Sequence, residues 1–158
     1  MSEVSVIVPV YNAEKTSEKC LRSILNQTLK DIDIICLNDA SSDNSLNILE
    51  SYAKEDKRIS VINLFENKGV SVCRNIGISV ASGKYIGFVD SDDFIAEDFY
   101  EKLMKKAEET DADCVKGNIY NYNASTGESV LTDFYNMNDK IRKNKSYFYY
   151  GFTGAIYR

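Results

Sequence analysis

Short apolar runs alternate with amphipathic helical patterns through most of this chain. The first run, Val4–Val10, is nearly continuous in β-branched residues, which is typical of a strand buried on both faces of a parallel sheet. Helical stripes separate the predicted strands, which span residues 4–10, 32–37, 59–63, 84–89 and 112–116. Because parallel strands need crossover helices, this alternation predicts an α/β fold with a mostly parallel, Rossmann-like sheet flanked by helices.

The pattern changes after Gly117. Residues 118–134 predict a hairpin joined across residues 124–127, where small and turn-forming side chains cluster. Residues 135–146 are polar, which predicts a mobile loop, and residues 147–157 form an aromatic, strand-like stretch.

A length of 158 residues suits one domain. We expect that domain to consist of a βα region over residues 1–117 and a mixed portion over residues 118–158. The net charge of −5 argues against a nucleic-acid partner, because binding to the phosphate backbone needs clustered Lys and Arg. No apolar run reaches the length of a membrane span.

The residue inventory also limits the chemistry. The chain has no histidine, which excludes Ser-His-Asp and Cys-His catalysis and any imidazole metal site. Its cysteines are far apart and each falls on the apolar side of a predicted element; they are Cys20, Cys36, Cys73 and Cys114. We interpret them as reduced core residues of a cytoplasmic protein.

The strand that ends at Val89 leads directly into three carboxylates, Asp90, Asp92 and Asp93. Asp90 and Asp92 are two residues apart, so on an extended segment they point to the same side. Crowded carboxylates repel one another unless a cation or a proton shares the site. Oxygen ligands of this kind suit Mg²⁺ or Mn²⁺, which often complete their coordination with a substrate phosphate. On the cluster alone, a solvated turn that caps the next helix remains an equal alternative.

Other polar loops are expected at the same edge of the sheet. In an open parallel sheet, ligands bind outside the carboxyl ends of the strands. Residues 11–14 follow the first strand, Asn38 and Asp39 follow the second, and Arg74 lies near the start of the third helix. Helix N-termini at this edge add a partial positive potential that favours phosphate. The sequence therefore predicts one crevice at this edge, lined by carboxylates and helix N-termini.

Five stretches, in chain order, carry a family resemblance: residues 4–12 (with Val8-Pro9-Val10-Tyr11-Asn12), 20–28 (with Cys20-Leu21-Arg22-Ser23-Ile24), 38–45 (with Asn38-Asp39-Ala40-Ser41), 67–77 (with Gly69-Val70-Ser71-Val72-Cys73-Arg74-Asn75) and 81–93 (ending Asp90-Ser91-Asp92-Asp93). In this order and spacing they resemble the N-terminal, donor-binding part of family 2 glycosyltransferases, an inverting group with the GT-A fold.

The resemblance implies a role for each matching position. The implied donor-binding residues are Pro9, Tyr11, Glu14, Asp39, Arg74, Asp90 and Ser91. Asp39 would hydrogen-bond the base, usually uracil, and Asp90 would lie near the ribose and sugar. Asp92, the second acid of the Asp-x-Asp motif, would hold Mn²⁺ or Mg²⁺ at the diphosphate. A bound divalent ion would also explain how an acidic protein holds an anionic donor.

Two departures from the family pattern bear on these roles. Asn38 stands where the family commonly has an acid, and Ala40 stands where it commonly has glycine, so we expect no positive φ at Ala40. The family's catalytic base comes from a segment that we expect beyond Arg158, and we nominate no catalytic residue in this chain. We therefore expect a truncated donor-binding half that binds nucleotide and transfers poorly or not at all.

The implied function is metal-assisted, inverting transfer from a UDP-sugar to a glycan or lipid-linked acceptor in surface-polysaccharide synthesis. The full-length protein would be cytoplasmic, either free or peripheral at the inner face of the membrane. A degenerate module that binds nucleotide-sugar without catalysis is the alternative. A nucleotidyltransferase would bring a Gly-rich phosphate loop near its first strand, and a receiver-like signalling domain would place its acidic pair there, and neither pattern is present.

The last third of the chain is rich in aromatic residues, namely Tyr120, Tyr122, Tyr135, Tyr147, Phe148, Tyr149, Tyr150 and Phe152. One interpretation is that they stack on acceptor sugars. The interpretation that we favour is that most are strand and core residues, left exposed because we expect the remainder of the domain beyond Arg158. If left exposed, such a surface would also support homo-oligomer formation.

Overall fold

The computed structural model describes residues 2–131 and 155–158. Helices and strands alternate through most of these residues. The strands are β1 (Val4–Val10), β2 (Ile32–Asn38), β3 (Ile59–Asn63), β4 (Tyr85–Phe88), β5 (Cys114–Lys116), β6 (Tyr120–Tyr122), β7 (Ser129–Leu131) and β8 (Ala155–Tyr157). The helices are α1 (Ser17–Leu25), α2 (Ser45–Glu55), α3 (Val70–Val80) and α4 (Phe99–Thr110).

The main sheet has six strands in the order β3-β2-β1-β4-β8-β5. The pairs β1–β2, β2–β3 and β1–β4 are parallel, which confirms the predicted α/β fold with a mostly parallel sheet. β8 runs antiparallel to both β4 and β5 and lies between them. The sequence pattern did not predict this insertion.

The sheet is buried on both faces. All seven residues of β1 are buried, as the sequence predicts; Val4, Val6, Val8 and Val10 belong to one apolar cluster and Ile7 to a second on the other face. The larger cluster contains Leu21 of α1, Leu49 of α2 and Leu103 of α4. The smaller one lies under α3 and includes Ile7. α3 comes very close to the sheet at Gly77, where an added Cβ would lie 2.6 Å from Cγ2 of Ile7.

Three of the four cysteines fit the core interpretation. Cys20, Cys36 and Cys73 are buried, and all four are free thiols. The prediction is wrong for Cys114, which is exposed on β5. β5 is a short strand next to β8, and its inward side chain is Val115, which packs on the larger cluster.

The predicted hairpin is present. β6 and β7 pair in antiparallel register, with Tyr120 opposite Leu131 and Tyr122 opposite Ser129. Gly127 takes the positive φ of 74° that the connecting turn needs. Of the predicted aromatic strand over residues 147–157, the structure describes Ala155–Tyr157 as β8. The predicted mobile loop at residues 135–146 lies outside the described residues.

Candidate functional site

A cleft of about 580 Å³ opens at the carboxyl ends of β1, β2 and β4. It brings together all but one of the side chains predicted from sequence as site residues: Pro9, Tyr11, Glu14, Asp39, Asp90, Ser91 and Asp92. The prediction that these positions converge on one edge of the sheet is therefore confirmed as geometry. Their individual roles stay predictions.

Two loops form one interlocked wall of the cleft. The Ser42 N–H donates to Oδ1 of Asn12 at 2.8 Å, and the Glu14 N–H donates to Oδ2 of Asp43 at 3.0 Å. In return, the Asn44 N–H at the start of α2 donates to Oε2 of Glu14 at 3.1 Å. Because backbone groups of one loop bond side chains of the other, the β1–α1 and β2–α2 loops hold each other in place.

Asp39 lies at the bottom of the cleft, beside this wall, and is only 3% exposed. Its Oδ1 accepts the Lys68 N–H at 2.7 Å and its Oδ2 accepts the Gly69 N–H at 2.9 Å. Its own N–H donates to the Val10 carbonyl at 2.8 Å. Asp39 thus ties β1 and β2 to the N-terminus of α3. A carboxylate has about four acceptor positions; the two backbone N–H groups and the Cys73 thiol use three of them, which leaves one for a ligand.

Ala40 differs from the expectation. Its φ is 56°, in the left-handed region that the sequence analysis excluded for it. The chain must turn sharply here, because Asp39 lies at the bottom of the cleft while Ser41 reaches across to accept the Asn12 N–H at 3.0 Å. The turn needs this conformation whichever residue occupies it, and alanine adopts it at a cost of about 1 kcal/mol.

Arg74 is the one predicted site residue outside the cleft lining. Its Nη2 lies 2.6 Å from Oδ1 of Asp90, and its side chain is 16% exposed. The structure therefore places Arg74 beside residues 90–93, which we call the acidic loop, as a partner of Asp90. Contact between Arg74 and a nucleotide stays a prediction.

The acidic loop has a different character from the interlocked wall. Within residues 2–131 and 155–158, no hydrogen bond or ion pair reaches the carboxylate of Asp92, which is exposed at the cleft. The pKa of Asp93 is raised, first by burial and then by the negative charges of Asp92 and Asp90. These carboxylates repel one another, which is the electrostatic condition that a bound cation would relieve.

The acidic loop does not form a complete metal cage. In the described part of the chain, no group of three or more His, Cys, Asp or Glu side chains is arranged to hold a metal ion. Asp92 and its neighbours therefore fit an ion that needs one or two protein carboxylates and takes its other ligands from phosphate and water. Mg²⁺ and Mn²⁺ bind in this way.

The sequence analysis missed several residues of the cleft. Lys15 and Thr16 continue the first loop, and Val70 and Cys73 lie one turn apart on α3. The sequence signal that could have identified them was their closeness in the chain to predicted site residues. On α3, Val70 and Cys73 also share a helix face, because side chains at i and i+3 are neighbours. Burial and the nearby charge of Asp39 raise the pKa of Cys73 to about 11, so its thiol is neutral at physiological pH.

The charge of the cleft is strongly negative. Its described lining contains the acids Glu14, Asp39, Asp43, Asp90 and Asp92, against the single base Lys15. A diphosphate would meet repulsion from this surface unless a cation came with it.

None of the helices in residues 2–131 and 155–158 has the length and apolar character of a membrane span.

Comparison with known proteins gives a consistent family. The family model for Glycosyl transferase family 2 matches residues 5–158. Glycosyltransferase GlyA of Streptococcus pneumoniae is 44% identical over 149 residues, which are 92% of this chain and 21% of GlyA. Glycosyltransferase GlyG of the same organism is 44% identical over 128 residues, which are 80% of this chain and 42% of GlyG. The chain thus spans less than half the length of these relatives.

Solved structures extend the similarity to the fold. S. aureus TarS 1–349 in complex with UDP superposes with a TM-score of 0.67 at 32% identity, covering 72% of this chain and 34% of TarS 1–349. The same protein in complex with UDP-GlcNAc gives the same TM-score and identity.

Proposed function

Because the chain belongs to glycosyl transferase family 2 and has the GT-A fold, we propose that it binds the donor in the transfer of a sugar from a nucleotide-diphosphate sugar. The donor is a UDP-sugar, and the acceptor is a glycan or a lipid-linked sugar. The observation that carries the proposal is the cleft itself, which collects a buried carboxylate, an exposed tyrosine and an acidic loop at one edge of a parallel sheet.

The nucleoside end of the donor fits the interlocked wall. Tyr11 is 53% exposed at the rim and offers its ring to a base, while Asp39 offers a remaining acceptor position at the bottom of the cleft. The N–H of a uracil ring is a donor of the matching kind. Similarity to TarS, which is solved with UDP and with UDP-GlcNAc, supports uridine as the base.

The diphosphate end fits the acidic loop, with Mn²⁺ or Mg²⁺ held by Asp92 and supported by Asp90 and Ser91. When bound, such an ion supplies charge neutralisation of the diphosphate leaving group. The residues of this chain hold and orient the donor there. Arg74 keeps Asp90 in a fixed position through their ion pair, and Lys15 supplies the positive charge on the opposite loop.

We assign no catalytic base in this chain. The chain spans 21% of GlyA and 42% of GlyG, so we propose donor binding for this chain and sugar transfer for a protein of the relatives' length. A module that binds nucleotide-sugar without catalysis would use the same cleft. Free cysteines suit the cytoplasm, where thiols stay reduced, and a role in surface-polysaccharide synthesis stays a prediction.

Calorimetric titration of the chain with UDP tests the proposal, first with Mn²⁺ and then with the metal chelated. We expect binding that weakens at least about tenfold on chelation, as for the loss of one charge-assisted contact. Asp92→Asn should abolish the metal dependence, because it removes the proposed ligand without changing side-chain size.

The matched control is Asp31→Asn, an exposed aspartate far from the cleft lining, which should bind UDP as the wild type does. If UDP does not bind the wild type under any metal condition, the donor-binding proposal is wrong. If UDP binds equally with and without metal, and equally in Asp92→Asn, the metal role of Asp92 is wrong.

A further inference from the structure

Three side chains from distant parts of the chain form a cluster beside the acidic loop. Nζ of Lys19, on α1, lies 3.5 Å from the ring centroid of Phe94 and 4.3 Å from that of Tyr122 on β6. The two rings meet edge to face, 5.2 Å apart at 89°. We call these residues the rim cluster, because Phe94 directly follows Asp93 of the acidic loop.

The rim cluster continues into an exposed face of the hairpin. Tyr120 and Tyr122 point to the same side of β6, and their cross-strand partners Leu131 and Ser129 share that side. Tyr122 contacts Phe94, which follows the acidic loop. The exposed face of the hairpin therefore begins next to that loop. Tyr120 is 56% exposed, Leu131 50%, Tyr122 43% and Phe94 42%.

Tyr120 and Tyr122 lie on β6 and are exposed, in line with the favoured interpretation of exposed strand residues. The other aromatic residues of that prediction lie outside the described residues. A contiguous exposed surface with several aromatic rings marks a binding surface more often than chance. Lys19 covers one side of the Phe94 and Tyr122 rings and holds them in a fixed arrangement through cation–π attraction, worth about 0.5–1 kcal/mol at exposed sites.

We propose that the rim cluster and the hairpin face bind a pyranose ring of the acceptor. A pyranose has one face of C–H groups, which stacks on aromatic rings, and a rim of hydroxyls. The Lys19 ammonium is a donor to such hydroxyls, and the carboxylate of Asp93, next to Phe94, is an acceptor. Aromatic surface with a few placed polar groups is the usual composition of a small-molecule site.

The position of the rim cluster favours the acceptor over the donor. This inference rests on the proposed function, in which the base lies at Asp39 and the diphosphate at Asp92. The acidic loop then lies between the nucleoside and the rim cluster, so the sugar end of the donor is directed toward Phe94. An acceptor stacked on the hairpin face therefore lies next to the sugar that it receives.

Solution NMR of the full chain tests the inference with three probes: the methyl pyranosides of glucose, galactose and N-acetylglucosamine at millimolar concentration. We expect at least one to shift the ring resonances of Phe94, Tyr120 and Tyr122, with saturation transfer to its C–H protons. Tyr122→Ala should weaken this binding about tenfold or more, and Tyr122→Phe should retain it, because stacking needs the ring and not the hydroxyl.

The controls separate this site from the donor site. Phe65→Ala removes a fully exposed ring outside the cleft lining and should change neither glycoside nor UDP binding. UDP affinity should stay within about twofold of wild type in Tyr122→Ala. Glycoside binding without UDP binding would keep the sugar site and overturn the donor proposal.

Two results would overturn the sugar site. The first is UDP binding with no response of the three rings to any of the glycosides. The second is a dimer in sedimentation analysis that Tyr122→Ala dissociates, with no glycoside competition. That result would assign the hairpin face to contact between copies of the chain.

Discussion

The two sides of the cleft treat their carboxylates in opposite ways. On the interlocked wall, Asp39 and Glu14 each accept backbone N–H groups from another loop, and Asp39 is nearly inaccessible. On the acidic loop, Asp92 is exposed, and the pKa of Asp93 is raised first by burial and then by the charges of Asp92 and Asp90. The acids of the wall hold loops together, whereas on the acidic loop Arg74 pairs with Asp90 and the charges of Asp92 and Asp93 repel each other.

The difference shows which ligand group each side suits. A base is recognised by hydrogen bonds of fixed direction, so the group that binds it gains from being preorganised. A hydrated divalent ion needs charge more than fixed direction, and its binding removes repulsion that is already present. We therefore expect substitutions on the interlocked wall to lower the free energy of unfolding. Substitutions on the acidic loop should change mainly the affinity for the ligand.

The largest effect should come from Asp39. Asp39→Ala leaves the Lys68 and Gly69 N–H groups without their acceptor, which should lower the free energy of unfolding by about 1–3 kcal/mol. Asp92→Ala should leave it within about 0.5 kcal/mol, because it removes an exposed and repelled charge. Urea unfolding of both variants measures the contrast. Equal losses would contradict the division between structural and ligand-binding acids.

An intermediate effect is expected at the strained turn of the interlocked wall. Ala40→Gly should raise the free energy of unfolding by about 0.5–1 kcal/mol, because glycine adopts the φ of 56° without the steric cost to alanine. The matched control is Ala124→Gly, at a turn position whose φ is not positive, which should lose up to about 1 kcal/mol of unfolding free energy through unfolded-state entropy. Thermal unfolding measures both. Destabilisation by both substitutions would show that the conformation of Ala40 carries no strain.

The smallest effect should come from Glu14. Glu14→Gln keeps an oxygen to accept the Asn44 N–H but removes a negative charge from the N-terminus of α2. The expected loss of unfolding free energy is about 0.3–0.5 kcal/mol at low salt, and it should shrink at high salt as the charge is screened. Glu50→Gln, an exposed substitution within α2, is the control. A loss that does not depend on salt would indicate a packing role for Glu14.

Much of the fold was predictable because it depends on local pattern. The apolar content of Val4–Val10 predicted a strand buried on both faces, and all seven residues are buried. The convergence of Tyr11, Asp39 and Asp90 followed from a general rule, since loops that follow parallel strands meet at one edge.

The rest depended on partners that lie far along the chain. The structural role of Asp39 comes from backbone N–H groups at Lys68 and Gly69, which carry no side-chain signal. The positive φ of Ala40 is set by the hydrogen bond that Ser41 makes with the Asn12 N–H. The residue type at position 40 therefore predicted the wrong backbone conformation. The contact between Tyr122 and Phe94 depends on where the hairpin docks, which strand propensity alone does not show.

The insertion of β8 has a consequence for the order of folding. Strands β1 to β4 pair with one another through short crossovers, but in the described residues β5 has only β8 as a strand partner. β5 therefore joins the sheet only after Ala155–Tyr157 has returned to pair beside Tyr85–Phe88. Closing so long a loop is slow. In pulsed hydrogen exchange during refolding, the amides of β5 and β8 should gain protection after those of β1 and β2.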